Sequence, residues 1–431
     1  MPSRPARLLS AHRRLMNVLL AALLALLLAP PAVAQATPAA DELPLEDIQT
    51  FAEVFERIKR AYVEEVDDST LLRNAMRGML SELDPHSAYL DRNEFQSLRE
   101  STEGEFGGIG IEVGLEEGRL TVITPIDDTP ASRAGLRARD VIISIDGNST
   151  ERLSLQESVT LMRGEPGSQI RLSILRSGEE APLDVTLTRE VIRTESVRSE
   201  MLEAGYGYLR VSQFQSRTGE QVANAIRRME RDGALQGLVL DLRNNPGGVL
   251  QAAVAVADAF LESGLVVYTE GRLPDTQMRF SASRETAAPD VPLVVLINGG
   301  SASAAEIVAG ALQDQRRGVI MGTESFGKGS VQQVMPLGNG EGLKLTTALY
   351  YTPNGRSIQA LGIEPDVTVV GGRVEVTESS RQLREADLEG HLRSRSEPRA
   401  ASAEMAERLR EDYQLGEALN LLKALNVLER R

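Results

Sequence analysis

Two serines stand in a run of small residues, Gly299-Gly300-Ser301-Ala302-Ser303-Ala304-Ala305-Glu306, which follows the apolar stretch Leu293 to Ile297 and opens a helical pattern reaching Gln313. Strand, glycine turn and helix place Ser303 near a helix start, where unpaired backbone N–H groups and the helix dipole favour negative charge. A serine there can attack a carbonyl beside a ready anion site. Serine is also a common N-cap, so capping by Ser301 or Ser303 is the plain alternative.

A serine nucleophile needs a base, and Lys328 lies between Gly327 and Gly329, with Phe326 and Val331 expected to wall it. Desolvation would lower its pKa until it is neutral often enough to accept a proton. A surface loop lysine is the alternative. Gly322, Gly327 and Lys328 match the G-x-x-x-x-G-K of a phosphate loop, but Gly329 replaces its Ser or Thr and Ser330 to Val334 alternates like a strand, which argues against nucleotide binding. Ser325-Phe326-Gly327-Lys328 has S-x-x-K spacing and makes Ser325 a second candidate nucleophile, although its glycines oppose the helical turn that motif needs.

Other catalytic classes lack their residues. Of three histidines, His86 and His391 remain once the first 34 residues are set aside, and each is far in sequence from any glycine-flanked serine, so both are expected to be structural or superficial. The chain has no cysteine, which excludes thiol catalysis, thiolate metal sites and disulfides. No ligand cluster suggests a metal, and no cofactor is expected.

The elements that must position these residues fall into regions. Residues 1 to 34 carry Arg4, Arg7, Arg13 and Arg14 without an acid, then an apolar run from Val18 to Leu28, then Ala32-Val33-Ala34, the layout of a secretory signal peptide. Eleven apolar residues fall short of the about 20 that span a bilayer. Export to the periplasm is expected, with membrane association as the lesser alternative. Without those arginines, 43 basic residues face 62 acidic ones, a formal charge of −19 that disfavours nucleic acid as a partner. Leu45, Ile48, Phe51, Phe55, Ile58 and Tyr62 recur at helical spacing, as do Leu71, Ala75, Met79 and Leu83, predicting a helical region over 35–103. Short β-type runs with one helical pattern at Leu155 to Met162 fill 104–190. From Gly207 to Pro365 strand and helix patterns alternate, predicting βαβ units on a largely parallel sheet. A charged segment and a closing helix at Tyr413 to Leu428 complete the chain.

The pair Ser301-Ala302-Ser303-Ala304-Ala305-Glu306 and Gly327-Lys328-Gly329-Ser330-Val331-Gln332 resembles the signatures of the carboxyl-terminal processing peptidases. The likeness extends to Leu83–Leu90 (LDPHSAYL), Asp241–Gly248 (DLRNNPGG), Tyr350–Gln359 (YYTPNGRSIQ), Gly362–Val367 (GIEPDV) and Ala386–His391 (ADLEGH), nearly the whole mature chain. It implies Ser303 as nucleophile, Lys328 as general base, Gln332 orienting the lysine amine, and an oxyanion hole from the N–H of Ala304 and of Gly247 or Gly248. In the middle region, Glu105-Phe106-Gly107-Gly108-Ile109-Gly110-Ile111 resembles the carboxylate-binding loop of PDZ domains, and Pro130 to Gly147 strengthens that likeness. Phe106 to Ile111 would then hold a substrate C-terminus, with Ile109, Ile111 and Leu161 taking its last side chain or serving as plain core.

The expected architecture is a multidomain α/β protein: signal peptide 1–34, helical region 35–103, PDZ domain 104–190, a crotonase-like α/β protease core over 191–375 with part of the N-terminal region, and 376–431 as charged segment and C-terminal helix. The expected activity is serine endoproteolysis of proteins with free C-termini. The resemblance also implies a homo-oligomer assembled through the terminal helices and an adaptor or activator protein. Rival classes are a catalytically idle PDZ tether and acyl-CoA chemistry, the latter remote for an exported chain.

Overall fold

The computed structural model describes residues 44–231, 233–284, 286–373 and 403–429. The expected signal peptide, the Ala386–His391 stretch and the charged segment over 376–402 lie outside the described residues. The chain divides into a unit ending at Ala75 and one beginning at Met76. The first holds α1 (Leu45–Ala61) and the start of α2 (Asp68–Ser81). Leu45, Ile48, Phe51 and Ile58 of α1 form the apolar stripe read from the sequence and are exposed.

The second unit continues through β1 (Ala88–Leu90) and α3 (Arg92–Glu103), which Asp91 and Glu94 cap reciprocally and Gly104, at φ 74°, ends. Next come β2 (Glu105–Gly108), β3 (Ile111–Glu116), β4 (Arg119–Pro125), α4 (Pro130–Arg133), β5 (Val141–Ile145), β6 (Asn148–Ser149), α5 (Leu155–Met162), β7 (Gln169–Leu175), β8 (Leu183–Thr188) and β9 (Glu190–Arg193). Strands β3, β4, β5, β7 and β8 pair in that order. Ile170, Leu172 and Ile174 alternate into a core shared with Val122, Ile142 and Ile145. β9 pairs antiparallel with β2, so the chain enters and leaves this domain along one two-stranded ribbon.

The remaining elements are β10 (Val197–Glu203), β11 (Tyr206–Val211), α6 (Thr218–Arg231), β12 (Gly237–Asp241), α7 (Leu250–Asp258), β13 (Leu265–Gly271), β14 (Arg279–Ser281), β15 (Leu293–Ile297), α8 (Ala304–Asp314), β16 (Val319–Gly322), β17 (Ser330–Pro336), β18 (Gly342–Tyr351), β19 (Val367–Thr368), α9 (Ala403–Glu411) and α10 (Tyr413–Glu429). One sheet runs β10-β11-β12-β15-β16-β19 and is parallel from β11 onward. Every residue of β12 and β15 is buried, because helices cover both faces. Leu238 and Leu240 pack with Val222, Ile226, Val256 and Val308 of α6, α7 and α8. On the other face Val239, Val294 and Leu296 meet Leu415, Ala418, Leu419 and Leu422 of α10. A second sheet, β1-β18-β13-β14 with β17 also on β18, is antiparallel and was not foreseen in the strand–helix alternation. Its β1–β18 pairing, Ala88 opposite Lys344, brings the segment before the middle domain into the core.

Candidate active site

The carboxyl ends of β12 and β15 each run into a turn, and polar side chains lace the two turns together. Asn298 Oδ1 accepts the N–H of Asn244 at 2.8 Å and of Gly300 at 3.0 Å, while its Nδ2 donates to Asn244 Oδ1 at 2.9 Å. Ala302 N–H donates to the Asn245 carbonyl, and the Ser301 hydroxyl to the Leu242 carbonyl at 2.8 Å. Ser301 is thus a tie between turns. Ser303, the N-cap of α8, sits at φ 55°, ψ −113°, a conformation non-glycine residues seldom hold and which the laced turns impose. Gly247 packs against it: a Cβ there would lie 2.8 Å from Ser303 Cβ and 3.0 Å from the Ala304 nitrogen, at a φ of +100°.

Ser303, Ala304, Gly248, Lys328, Gln332, Lys344 and Tyr350 line one cleft of about 570 Å³. Gly247 N–H is already taken by Asn245 Oδ1 at 2.9 Å, whereas Gly248 is exposed and its N–H has no bond among the described residues. Of the two glycines named for the turn, Gly248 is the one whose N–H is available. Ala304 is the first residue of α8, so its N–H lies outside the helical ladder.

Glu306 carried no role in the sequence reading although it closes the serine motif. Its buried carboxylate takes four donors: Ser303 N–H at 2.7 Å and Lys328 N–H at 2.9 Å on Oε2, Gly327 N–H and the Ser325 hydroxyl, each at 2.6 Å, on Oε1. One side chain therefore fixes the backbone of the serine against the backbone of the lysine. Burial pushes its pKa up, against the pull of those donors. Ser325, the second candidate, donates to Glu306, accepts Ile363 N–H at 2.6 Å and does not line the cleft.

Burial also pushes the Lys328 amine below its ordinary value, and the like charge of Lys344 adds to this, while Asp84 and Glu306 act on it through space in the opposite sense. The expected wall differs: Phe326 points to solvent, 63% exposed, and the enclosing groups include Val331, Ala348 and Tyr350. The buried Tyr350 hydroxyl donates to the Lys328 carbonyl and also meets the Ser303 hydroxyl. Gln332 donates its amide to Ser330 Oγ at 3.0 Å and Thr346 Oγ1 at 3.3 Å. Burial lowers the His86 pKa, and the charges of Lys328 and Lys344 add to this against the opposite pull of Asp84.

In the middle domain, Phe106 to Gly108 form strand β2 rather than an open loop, with the Arg163 guanidinium 4.6 Å above the Phe106 ring and Gly164 N–H on the Gly107 carbonyl. Ile109 is core. Gly110, at φ +76°, turns the chain into β3, and Ile111 and Leu161 remain partly open beside it.

A profile of peptidase family S41 matches residues 205–369, a PDZ domain profile residues 107–187, and the activating protease CtpB N-terminal domain profile residues 30–94. A carboxy-terminal-processing protease of Bartonella bacilliformis is 46% identical over 385 residues, 88% of each chain. A carboxyl-terminal-processing protease of Synechocystis is 41% identical over 302 residues, 68% of this chain and 70% of its own. A solved photosystem II D1 C-terminal processing protease aligns over 75% of this chain and 92% of its own, at 32% identity and a TM-score of 0.44. The protein is a serine-type peptidase with a PDZ domain. The chain belongs to the carboxy-terminal processing proteases.

Proposed function

We propose that the chain is an exported endopeptidase that captures protein C-termini on its PDZ domain and cleaves through a Ser303/Lys328 dyad. The observation that carries this reading is the single cleft in which a conformationally strained serine at a helix start shares its walls with a lysine whose pKa burial lowers. Neutral Lys328 takes the Ser303 proton as Oγ attacks the peptide carbonyl. The N–H groups of Ala304 and Gly248 receive the oxyanion, each worth about 3 kcal/mol in the transition state. The lysine ammonium then protonates the leaving amine, and as free amine it draws a proton from the water that hydrolyses the acyl-enzyme. Gln332 orients the lysine amine. We read the core as crotonase-like, the domain boundaries as those given above, the periplasm as the destination, and the terminal helices as sites of assembly between copies, with an adaptor as a further partner.

Ser303→Ala and Lys328→Ala should each abolish cleavage of an unstructured protein while melting as the parent does. Cleavage that survives Ser303→Ala would refute the assignment.

A further inference from the structure

The groups that hold Gln332 lie outside the catalytic set and begin in the turn between α2 and β1. Asp84 Oδ1 accepts the N–H of His86 at 2.8 Å and of Ser87 at 3.0 Å, and Oδ2 accepts the Ser87 hydroxyl at 2.6 Å. Thr346 joins them across the sheet, its N–H on Ser87 Oγ and its hydroxyl on Asp84 Oδ1, both at 3.1 Å. Thr346 is the cross-strand partner of Gln332, immediately after the bulge at Val331/Gln332, so both side chains leave one face of the β17–β18 pair. Burial pushes the Asp84 carboxyl up, but the donors around it outweigh that and hold it below the usual carboxylate value.

Counting protons fixes the direction of every bond. An ionised Asp84 can only accept, so the single Thr346 proton goes to it, and Thr346 Oγ1 can only accept in turn from Gln332. That places the nitrogen of the Gln332 amide on Thr346 and Ser330. Both of its hydrogens are then used, and Oε1 is the part of the amide left for the cleft that Lys328 lines.

We propose that Asp84, acting through Thr346, is a positioning residue that presents the carbonyl oxygen of Gln332, and not its nitrogen, to the Lys328 amine. An oxygen accepts from the amine while it is neutral and from the ammonium after proton transfer; a nitrogen in its place would oppose the ammonium. The proposal rests on Gln332 as the group that orients the lysine.

Thr346→Val keeps the shape of the side chain and removes its hydroxyl. In the full-length enzyme with a peptide substrate, it should lower kcat about tenfold with KM unchanged, and Thr346→Ser should recover most of the loss. Asp84→Asn, whose amide can donate to Thr346, should produce the same kcat-only defect and serves if Thr346→Val misfolds. In a Gln332→Ala background Thr346→Val should cost nothing further. A loss that adds fully to that of Gln332→Ala, or a Thr346→Val enzyme with parental kcat, overturns the proposal. A Gln332→Ala enzyme with parental kcat overturns the reading of Gln332 itself, and the proposal with it.

Discussion

Replacing Glu306 with glutamine keeps size and shape and tests whether one carboxylate holds the nucleophile and base segments together. Four donors meet its two oxygens, at 2.6 to 2.9 Å. Glutamine offers one oxygen, so two of the four charge-assisted bonds are lost whichever way the amide turns, and its NH₂ then faces the Ser303 and Lys328 N–H groups or the Gly327 N–H and a Ser325 hydroxyl that must turn to accept. Hydrogen bonds to a charged group contribute about 1.5–3 kcal/mol each, so the loss is about 3–6 kcal/mol. Removing a buried charge returns part of this, because burial already pushes the Glu306 carboxyl up, leaving roughly 2–4 kcal/mol. Thermal melting should therefore fall by several degrees. Either surviving orientation frees the Lys328 and Ser303 N–H groups or the Gly327 and Ser325 donors, so the serine and lysine lose their fixed relation, and kcat should drop about a hundredfold with KM little changed. Steady-state kinetics on a fluorogenic peptide and a melting curve measure both. Parental kcat and melting together would refute the argument that Glu306 couples the two segments.

Lys344 lowers the pKa of Lys328 by like charge, so Lys344→Met should raise that pKa and move the ascending limb of kcat/KM to higher pH; an unmoved limb in a full pH profile would show that the two amines are not coupled. Asp412 receives Arg243 at 2.7 Å, in a network that also holds the fully buried Asp241, and Asp412→Asn should cost about 2 kcal/mol, below the range for a fully buried pair because Asp412 is one-third exposed. Burial pushes the Asp412 carboxyl up, but Arg243 holds it below its unfolded value, so its contribution is present above the ordinary carboxylate pKa and disappears as pH falls through the lowered one; parent and variant melting curves should converge in acid. A peptide ending in an apolar residue should be cleaved faster as its free acid than as its amide, since amidation removes the charge that backbone N–H groups near Gly110 would hold; equal rates would remove the capture role.

The parts of this architecture set by local pattern are legible in the sequence. The short runs Gly237–Asp241 and Leu293–Ile297, alternating with helical patterns, read as buried strands, and Leu155 to Met162 reads as a helix, as both prove to be. Ser303 and Lys328 stood out because glycines frame them. What escaped depends on pairing across long separations. Strand β18 reads as a polar and apolar mixture because it has partners on both sides and a cleft on one face, and β1 is three residues that gain meaning only opposite Lys344. Glu306, Asp84 and Thr346 were visible as residue types, but a carboxylate's role depends on which donors surround it, and the Gly327 N–H on Glu306 and the Thr346 hydroxyl on Asp84 come from segments distant in sequence. Phe326 was misread as a wall because adjacency in sequence says nothing about which side of a glycine loop faces the lysine.

The pairing of β1 with β18 also decides the order of events as the chain is made. All the strand pairings of the six-stranded sheet of the PDZ domain close between Ile111 and Thr188. The cleft has no such autonomy: Asp84 waits for Thr346, 262 residues later, and the second face of the parallel sheet stays uncovered until α10 arrives at the far end. Contacts of such long separation form slowly and late. The PDZ sheet can thus close on local contacts while the peptidase cleft waits for distant ones.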